Sequence, residues 1–155
     1  MSAEDRLRIL GLRLPELRAP VANFLPFARV GRLIWVSGQV PLDPNGGLLA
    51  GRVGAEFTVD EAADIARGVG LTLLSVIRQA AGSLDAVARV VKINGYVNAV
   101  PGFAQHPRVI DGVSNLMVEV FGEPGRHARA AIGAAGLPGN VPVEVEAVVE
   151  LLTGP

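Results

Sequence analysis

Apolar positions recur along the chain with two different periods, and the switches between them outline the elements. From Thr58 onward, Ala62, Ile65, Ala66, Val69, Leu73, Val76, Ile77 and Ala80 fall at three- and four-residue intervals. That spacing lines one face of an α-helix. Thr58-Val59-Asp60-Glu61 opens the run as a capping box, the Thr hydroxyl accepting from the third backbone N–H while Glu61 reaches back. Asp60 and Glu61 also sit at the positive end of the helix dipole, and Gly82 marks the end. A second helix is predicted over Pro107–Phe121, weakened at Gly112 and stopped by Gly122-Glu123-Pro124-Gly125. A short amphipathic helix is predicted over Ala3–Leu14, with Leu7, Ile9, Leu10 and Leu14 spaced along it and Pro15 as its stop.

Elsewhere the period is two. Phe27–Val30 and Leu33–Ser37 read as a hairpin joined at Gly31-Arg32, and Asp43-Pro44-Asn45-Gly46-Gly47 as a turn, with a short strand expected near Gly51–Val53. Ala88–Asn98 reads as a strand with Val91, Ile93 and Val97 on one face and Lys92, Asn94, Tyr96 and Asn98 on the other. Arg129–Ala134 is a strand of small residues, Leu137-Pro138-Gly139-Asn140 a turn, and Val141–Leu152 the last strand. Clustered strands with two intervening helices predict an α+β fold: a mixed sheet with both main helices packed on one face, plus the short N-terminal helix. The other face of that sheet has no cover within the chain.

The 155 residues suit a single domain, 1–155, with 1–19 as a helical N-terminal extension. The 14 basic and 15 acidic side chains leave a net charge of −1 and no basic tract, which speaks against a sequence-independent grip on nucleic-acid phosphates. The absence of Cys excludes disulfides, thiolate zinc sites, iron–sulfur clusters and a Cys nucleophile. Apolar runs fall far short of the ~20 residues a membrane helix needs. The charged start MSAEDRLRILGLRLPELR is no signal peptide. The expectation is a soluble, cytoplasmic protein that engages no membrane. A mean hydropathy of +0.40, high for a small monomer, implies apolar surface beyond one chain's core.

Candidate chemistry is sparse. His106 and His127 have no carboxylate at metal-ligand spacing, no GxSxG elbow exists, and the glycine pairs form no phosphate loop. The last strand is richer: Val143, Val145, Ala147, Val149 and Leu151 alternate with Glu144, Glu146, Val148 and Glu150. Such a stripe is either a solvated sheet face or a row of working carboxylates. Upstream, Arg129 is the only charge between Ala128 and Gly139, so its head must reach a partner or an opening. A strand–turn–strand unit would set Arg129 and Glu144 on neighbouring strands. There the guanidinium either forms a structural ion pair or offers a planar fork to a substrate carboxylate. In the second case Glu144 could orient or deprotonate a water. Trp35 and Phe27 read as core or interface residues, Tyr96 and Asn94 as surface or intersubunit contacts. His127 is a pocket wall or a loop contact.

These residues resemble the Rid family, also called YjgF or L-PSP, the reactive-intermediate deaminases. The resemblance rests on Gly31-Arg32-Leu33-Ile34-Trp35-Val36-Ser37-Gly38-Gln39-Val40-Pro41, on the Ala-rich first main helix, and on Arg129 through Leu137-Pro138 to Val143-Glu144-Val145-Glu146-Ala147. It spans roughly Pro20–Leu152. Val21-Ala22-Asn23-Phe24 and Phe121–Arg129 look like a divergent branch. The resemblance implies a chorismate-mutase-like fold and a homotrimer with three sites in its subunit clefts. It also implies hydrolysis of 2-aminoacrylate and related imines of 2-keto acids, releasing ammonia without metal or organic cofactor. By position, Arg129 would clamp the substrate carboxylate, the Gly38 N–H would donate to the same group, Glu144 would hold the attacking water, and Ser37 would line the pocket. Phe24 stands where the archetype has Tyr, and Ala131 where it often has Cys, a position thought to contribute its backbone. Asp111 or Asn115 would take the place of the family's pocket Asn, and His127 would stand beside the clamp; an Asp facing a substrate carboxylate would repel it, so Asp111 in that role would argue for a different substrate. A ribonuclease role is reported for parts of the family, but this composition offers no basic stripe or aromatic platform for RNA. A chorismate mutase would want more cationic groups around its bicyclic transition state. The alternative from another class is a non-catalytic trimer that binds small carboxylate metabolites in the same cleft.

Overall fold

The computed structural model describes residues 1–19 and 22–154. Pro20 and Val21, where the resemblance starts, lie outside the described residues, as does Pro155. The elements are α1 (Ala3–Ile9), β1 (Phe27–Val30), β2 (Leu33–Gln39), α2 (Val59–Ala81), β3 (Val87–Asn98), α3 (His106–Phe121), β4 (Ala128–Ala134) and β5 (Val143–Leu151). One five-stranded sheet has the order β1-β2-β5-β3-β4. Only β3 and β4 run parallel, joined through α3; the other pairs are antiparallel. This is the α+β arrangement expected, with α2 packed on β2 and β5, and α3 on β3 and β4.

Local chemistry explains most element ends. The Thr58 hydroxyl accepts from the Glu61 N–H at 3.2 Å while the Glu61 carboxylate accepts from the Thr58 N–H at 2.8 Å, closing the capping box. Gly82 leaves α2 in the left-handed region at φ 81°, where a Cβ would be strained. α1 is shorter than its spacing suggests. Gly11 takes φ 65°, and the Leu12 and Gly11 N–H groups donate to the carbonyls of Leu7 and Arg8, a Schellman closure that ends the helix at Ile9, well before Pro15. The expected strand at Gly51–Val53 reduces to isolated bridges at Val53. The Val53 N–H donates to the Asn98 carbonyl at the end of β3 and its carbonyl accepts from Val100 just beyond, and Gly54 then turns the chain away at φ 88°. β5 starts at Val143 rather than Val141 because Pro142 has no N–H for the ladder.

The core lies between helices and sheet. Val143, Val145, Ala147, Val149 and Leu151 all point into it from the middle of the sheet, so β5 alternates as its sequence implies. β3 departs from simple alternation: its register against β5 slips between Val90 and Lys92, so Val90 takes the core position and Val91 turns to the open face. That face carries exposed apolar residues, among them Val30, Trp35 and Ile132.

The two helices approach closely at Gly112, where a Cβ would stand 2.0 Å from the Ala63 carbonyl oxygen of α2. Intrinsic helix propensity favours Gly112→Ala by about 1 kcal/mol. The backbone clash opposes it, and overpacking of this kind costs about 1–3 kcal/mol. The clash should win. Gly112→Ala is expected to lower the midpoint of urea unfolding, and an unchanged or raised midpoint would show that the helices separate freely.

Candidate functional site

Two separate clusters hold the residues singled out from the sequence. The first is built on the bulge of β2. Against β5, Val36 pairs with Ala147 and Gln39 with Val145, so Ser37 and Gly38 together face one residue of the partner. The extra residue brings the Gly38 backbone against Glu144, and a Cβ on Gly38 would lie 2.2 Å from Glu144 Oε1. Only glycine lets the carboxylate rest on this stretch of main chain.

Glu144 itself is half-buried and accepts no hydrogen bond from the described residues. Burial, and secondarily the negative charge of Glu146, hold its pKa above the ordinary carboxylate value. Glu146 is differently placed: it accepts from Asn94 Nδ2 at 3.0 Å and from the Tyr96 hydroxyl at 2.9 Å. That bond to the carboxylate is the main reason the Tyr96 pKa is raised. The strand's two inner carboxylates thus divide: Glu146 is tied into the sheet surface, and Glu144 is left with its charge unanswered.

Ser37 works on the loop ahead of β1. Its hydroxyl donates to the Leu25 carbonyl at 2.6 Å and its N–H to the Pro26 carbonyl at 2.9 Å, tying down the segment that carries Phe24. Phe24, Gly38 and Gln39 then line a cavity of about 390 Å³ together with Leu17, Arg18 and Thr72. Gly38 and Phe24 are therefore brought together; the Ser37 side chain does not line this cavity.

The second cluster lies under α3. Arg129 pairs in register with Ile93, a fully buried core residue, so its side chain leaves β4 on the helix-covered face. There Arg129 Nη1 donates to Asp111 Oδ1 at 2.7 Å and to Ser114 Oγ at 3.2 Å. Asp111 and Ser114 are three residues apart on α3 and so share one helix face. Ser114 Oγ also lies 3.0 Å from His127 Nε2, and His127 Nδ1 lies 2.7 Å from the Gly125 carbonyl oxygen. A carbonyl can only accept, so Nδ1 bears the proton. In the neutral ring Nε2 then accepts from the Ser114 hydroxyl. Burial foremost, with a contribution from the Arg129 charge, lowers the His127 pKa and favours that neutral form.

Of the two candidates for the pocket Asn, Asp111 is therefore the one that touches Arg129; Asn115 is exposed and makes no bond to it. Ala131 faces inward beside Gly95 and packs against the core. Ser114 was not singled out from the sequence. Its signal was the three-residue spacing from Asp111, visible only once α3 is known to lie over the start of β4.

The two clusters do not meet in one chain. Rather than adjoining β5, β4 is separated from it by β3, contrary to the expectation that Arg129 and Glu144 sit on neighbouring strands. Arg129 aligns with Ile93 and Glu144 with Tyr96. At about 4.8 Å per strand and about 3.3 Å per residue, their backbones are about 14 Å apart. They also point to opposite faces of the sheet. Among the described residues no three His, Asp or Glu side chains gather as a metal-ligand set. No helix among them is long and apolar enough to cross a membrane.

Comparison with known proteins locates this architecture. Residues 4–151 match the family model described as "YjgF/chorismate mutase-like, putative endoribonuclease". The match begins upstream of the Pro20 boundary of the motif resemblance and takes in α1. Protein TCP17 of Trypanosoma cruzi is 44% identical over 146 residues, 94% of this chain and 91% of that protein. The crystal structure of Atu1372 from Agrobacterium tumefaciens superposes with a TM-score of 0.85 at 43% identity, covering 96% of this chain and 93% of that one. The structure of RidA from the Antarctic bacterium Psychrobacter sp. PAMC 21119 gives a TM-score of 0.57 at 25% identity, covering 86% and 92%. Sheet order, helix placement and these matches agree: the chain belongs to the YjgF/Rid family and carries its chorismate-mutase-like fold.

Proposed function

We propose that the protein is a hydrolytic deaminase of small enamine and imine acids such as 2-aminoacrylate, yielding a 2-keto acid and ammonia. The observation that carries this reading is Glu144: a half-buried carboxylate with a raised pKa, resting on the Gly38 backbone and lacking a hydrogen-bond donor among the described residues. A carboxylate that forms no structural pair in a partly dry site is suited to holding and deprotonating a water. The water adds to the imine carbon, its proton passing to Glu144. Glu144 returns that proton to the amino nitrogen of the carbinolamine, and ammonia leaves as the hydroxyl gives up its own proton to Glu144 and the carbonyl forms; an enamine substrate enters the same path as its imine tautomer. Arg129 supplies the second requirement, a planar cation for the substrate carboxylate. The RidA name of the Psychrobacter neighbour supports the same chemistry by family analogy.

The site closes only between copies. Because Arg129 and Glu144 leave opposite faces of one sheet, a substrate spanning both requires Arg129 of one subunit beside Gly38 and Glu144 of another. The open face provides a reason to assemble, since Trp35 is 54% exposed and Ile132 51% exposed there. The proposed assembly is the homotrimer, which is also a sufficient use for the chain's high hydropathy. A second reading, a trimer that binds small carboxylates without turning them over, is favoured by Phe24, whose ring lines the cavity without a hydroxyl.

Light scattering should return three times the 16.1 kDa chain mass, and a monomer mass would remove the composite site. Freshly generated 2-aminoacrylate should release keto acid faster with wild type than with Arg129→Ala, and equal background rates would overturn the deaminase reading. Calorimetric binding of a 2-keto acid without turnover would select the second reading.

Glu144 carries its own prediction. A carboxyl whose folded pKa is raised binds its proton more tightly in the native state, so it costs stability as pH rises from the unfolded pKa through the folded one. Activity must rise across the same window, because the base works only when ionised. Glu144→Gln is therefore expected to lower turnover by about a hundredfold or more. In the same variant the unfolding midpoint at pH 7 should hold or rise. A variant that loses both would assign Glu144 a structural role.

A further inference from the structure

We propose that Ser114 and His127 are positioning residues for Arg129. With Asp111 they hold the guanidinium by Nη1 alone, leaving its Nε–Nη2 edge for bidentate capture of a small carboxylate. This rests on the deaminase or carboxylate-binding reading only for what that edge captures. The bracket itself is visible in the chain.

Both bonds from Arg129 leave through the same nitrogen: Nη1 donates to Asp111 Oδ1 and to Ser114 Oγ, and among the described residues Nε and Nη2 have no partner. A guanidinium has five N–H donors in a rigid fork. Fixing one nitrogen at two points therefore sets the plane of the whole group. The hydrogens run one way along the network. Arg129 donates to Ser114, the Ser114 hydroxyl donates to His127 Nε2, and His127 Nδ1–H donates to the Gly125 carbonyl. The Ser114 oxygen accepts from Arg129 through a lone pair while its own hydrogen is directed to His127 Nε2. The Gly125 carbonyl fixes the His127 tautomer in turn.

The anchor of this chain is firm. Gly125 sits so tightly under α3 that a Cβ there would come 2.2 Å from the Met117 carbonyl oxygen. His127 therefore reports the position of the loop leading into β4, and Asp111 and Ser114 report the position of α3. The guanidinium is triangulated between the two elements that flank it. Asp111 also balances the arginine's charge locally, which weakens a purely electrostatic attraction and places more weight on geometric fit at the free edge. On this view the site selects planar carboxylates presented edge-on and holds simple anions poorly.

The test uses the full-length protein. In wild type the Arg129 Nη groups should give separate, slowly exchanging nitrogen-15 resonances, because a doubly held Nη1 cannot rotate. Ser114→Ala and His127→Ala should collapse them, and Ser114→Thr, which keeps the hydroxyl, should restore them. With 2-aminoacrylate, Ser114→Ala should raise KM about tenfold while kcat stays within about threefold, since loss of one bond to a charged group weakens capture more than chemistry. Averaged Arg129 resonances in wild type, or resonances and KM unchanged in Ser114→Ala, would overturn the bracket. Resonances that behave as expected in a protein with neither turnover nor keto-acid binding would leave the bracket standing and overturn the functional reading.

Discussion

Everything in this molecule hangs on the alternation of β5 in the middle of the sheet. A central strand has two ladders and two faces, and a shift of one residue would exchange them entirely. Five apolar side chains on one face of β5 are buried in the core, and the three valines and Leu151 among them contribute about 1.5–3 kcal/mol each. That burial fixes the parity, and parity alone turns Glu144, Glu146 and Glu150 to the other side. The position of the candidate base is thus a by-product of how the core is built. The bulge in β2 refines it by bringing Gly38 under the carboxylate.

The same parity explains why one chain cannot complete the site. β4 is an edge strand in register with β3, and Arg129 shares its face with Ile93, beneath α3. Two groups on opposite faces of a packed sheet cannot be joined by side-chain rotation, because the intervening layer is close-packed. On the proposed function only a neighbouring copy could bring the two groups together, which would make chemistry and assembly one problem for this fold. Trp35 and Ile132 stand exposed on the open face, where the proposed assembly would use them.

Much of the fold was legible in the sequence, and the failures have physical causes. The capping box, the hairpin glycine and the β5 alternation are local, so their residues announce them. The facing of β4 was hidden because Ala-Arg-Ala-Ala-Ile-Gly-Ala has almost no polar alternation to show which side is inward. Strand order was hidden for a different reason: β4 and β5 are adjacent in sequence, yet the parallel crossover through α3 seats β4 on the far side of β3. The slip at Val90–Lys92 carries no glycine or proline to mark it, and so Val91 was assigned to the wrong face. Of the proposed site residues, Arg129, Glu144 and Gly38 could be named from motif spacing. Ser114 could not, because a serine among polar helix positions acquires meaning only from what lies beneath it.

Arg129 carries the tension between solvation and chemistry most plainly. From the sequence it was a lone charge in an apolar strand, required by solvation to find a partner or an opening. In the fold it has a partner, and 26% of its side chain stays exposed. Asp111 and Ser114 answer the charge on one nitrogen, and the remaining edge stays unpaired among the described residues. A buried ion pair alone would have neutralised the arginine and left it structural. Holding it by a single corner preserves a directed donor pair. Glu144 follows the complementary rule, a carboxylate kept without a partner so that its basicity is not consumed by the protein itself. One group is restrained and the other left free. That asymmetry distinguishes a site from a salt bridge, and here it is distributed over two faces of one sheet.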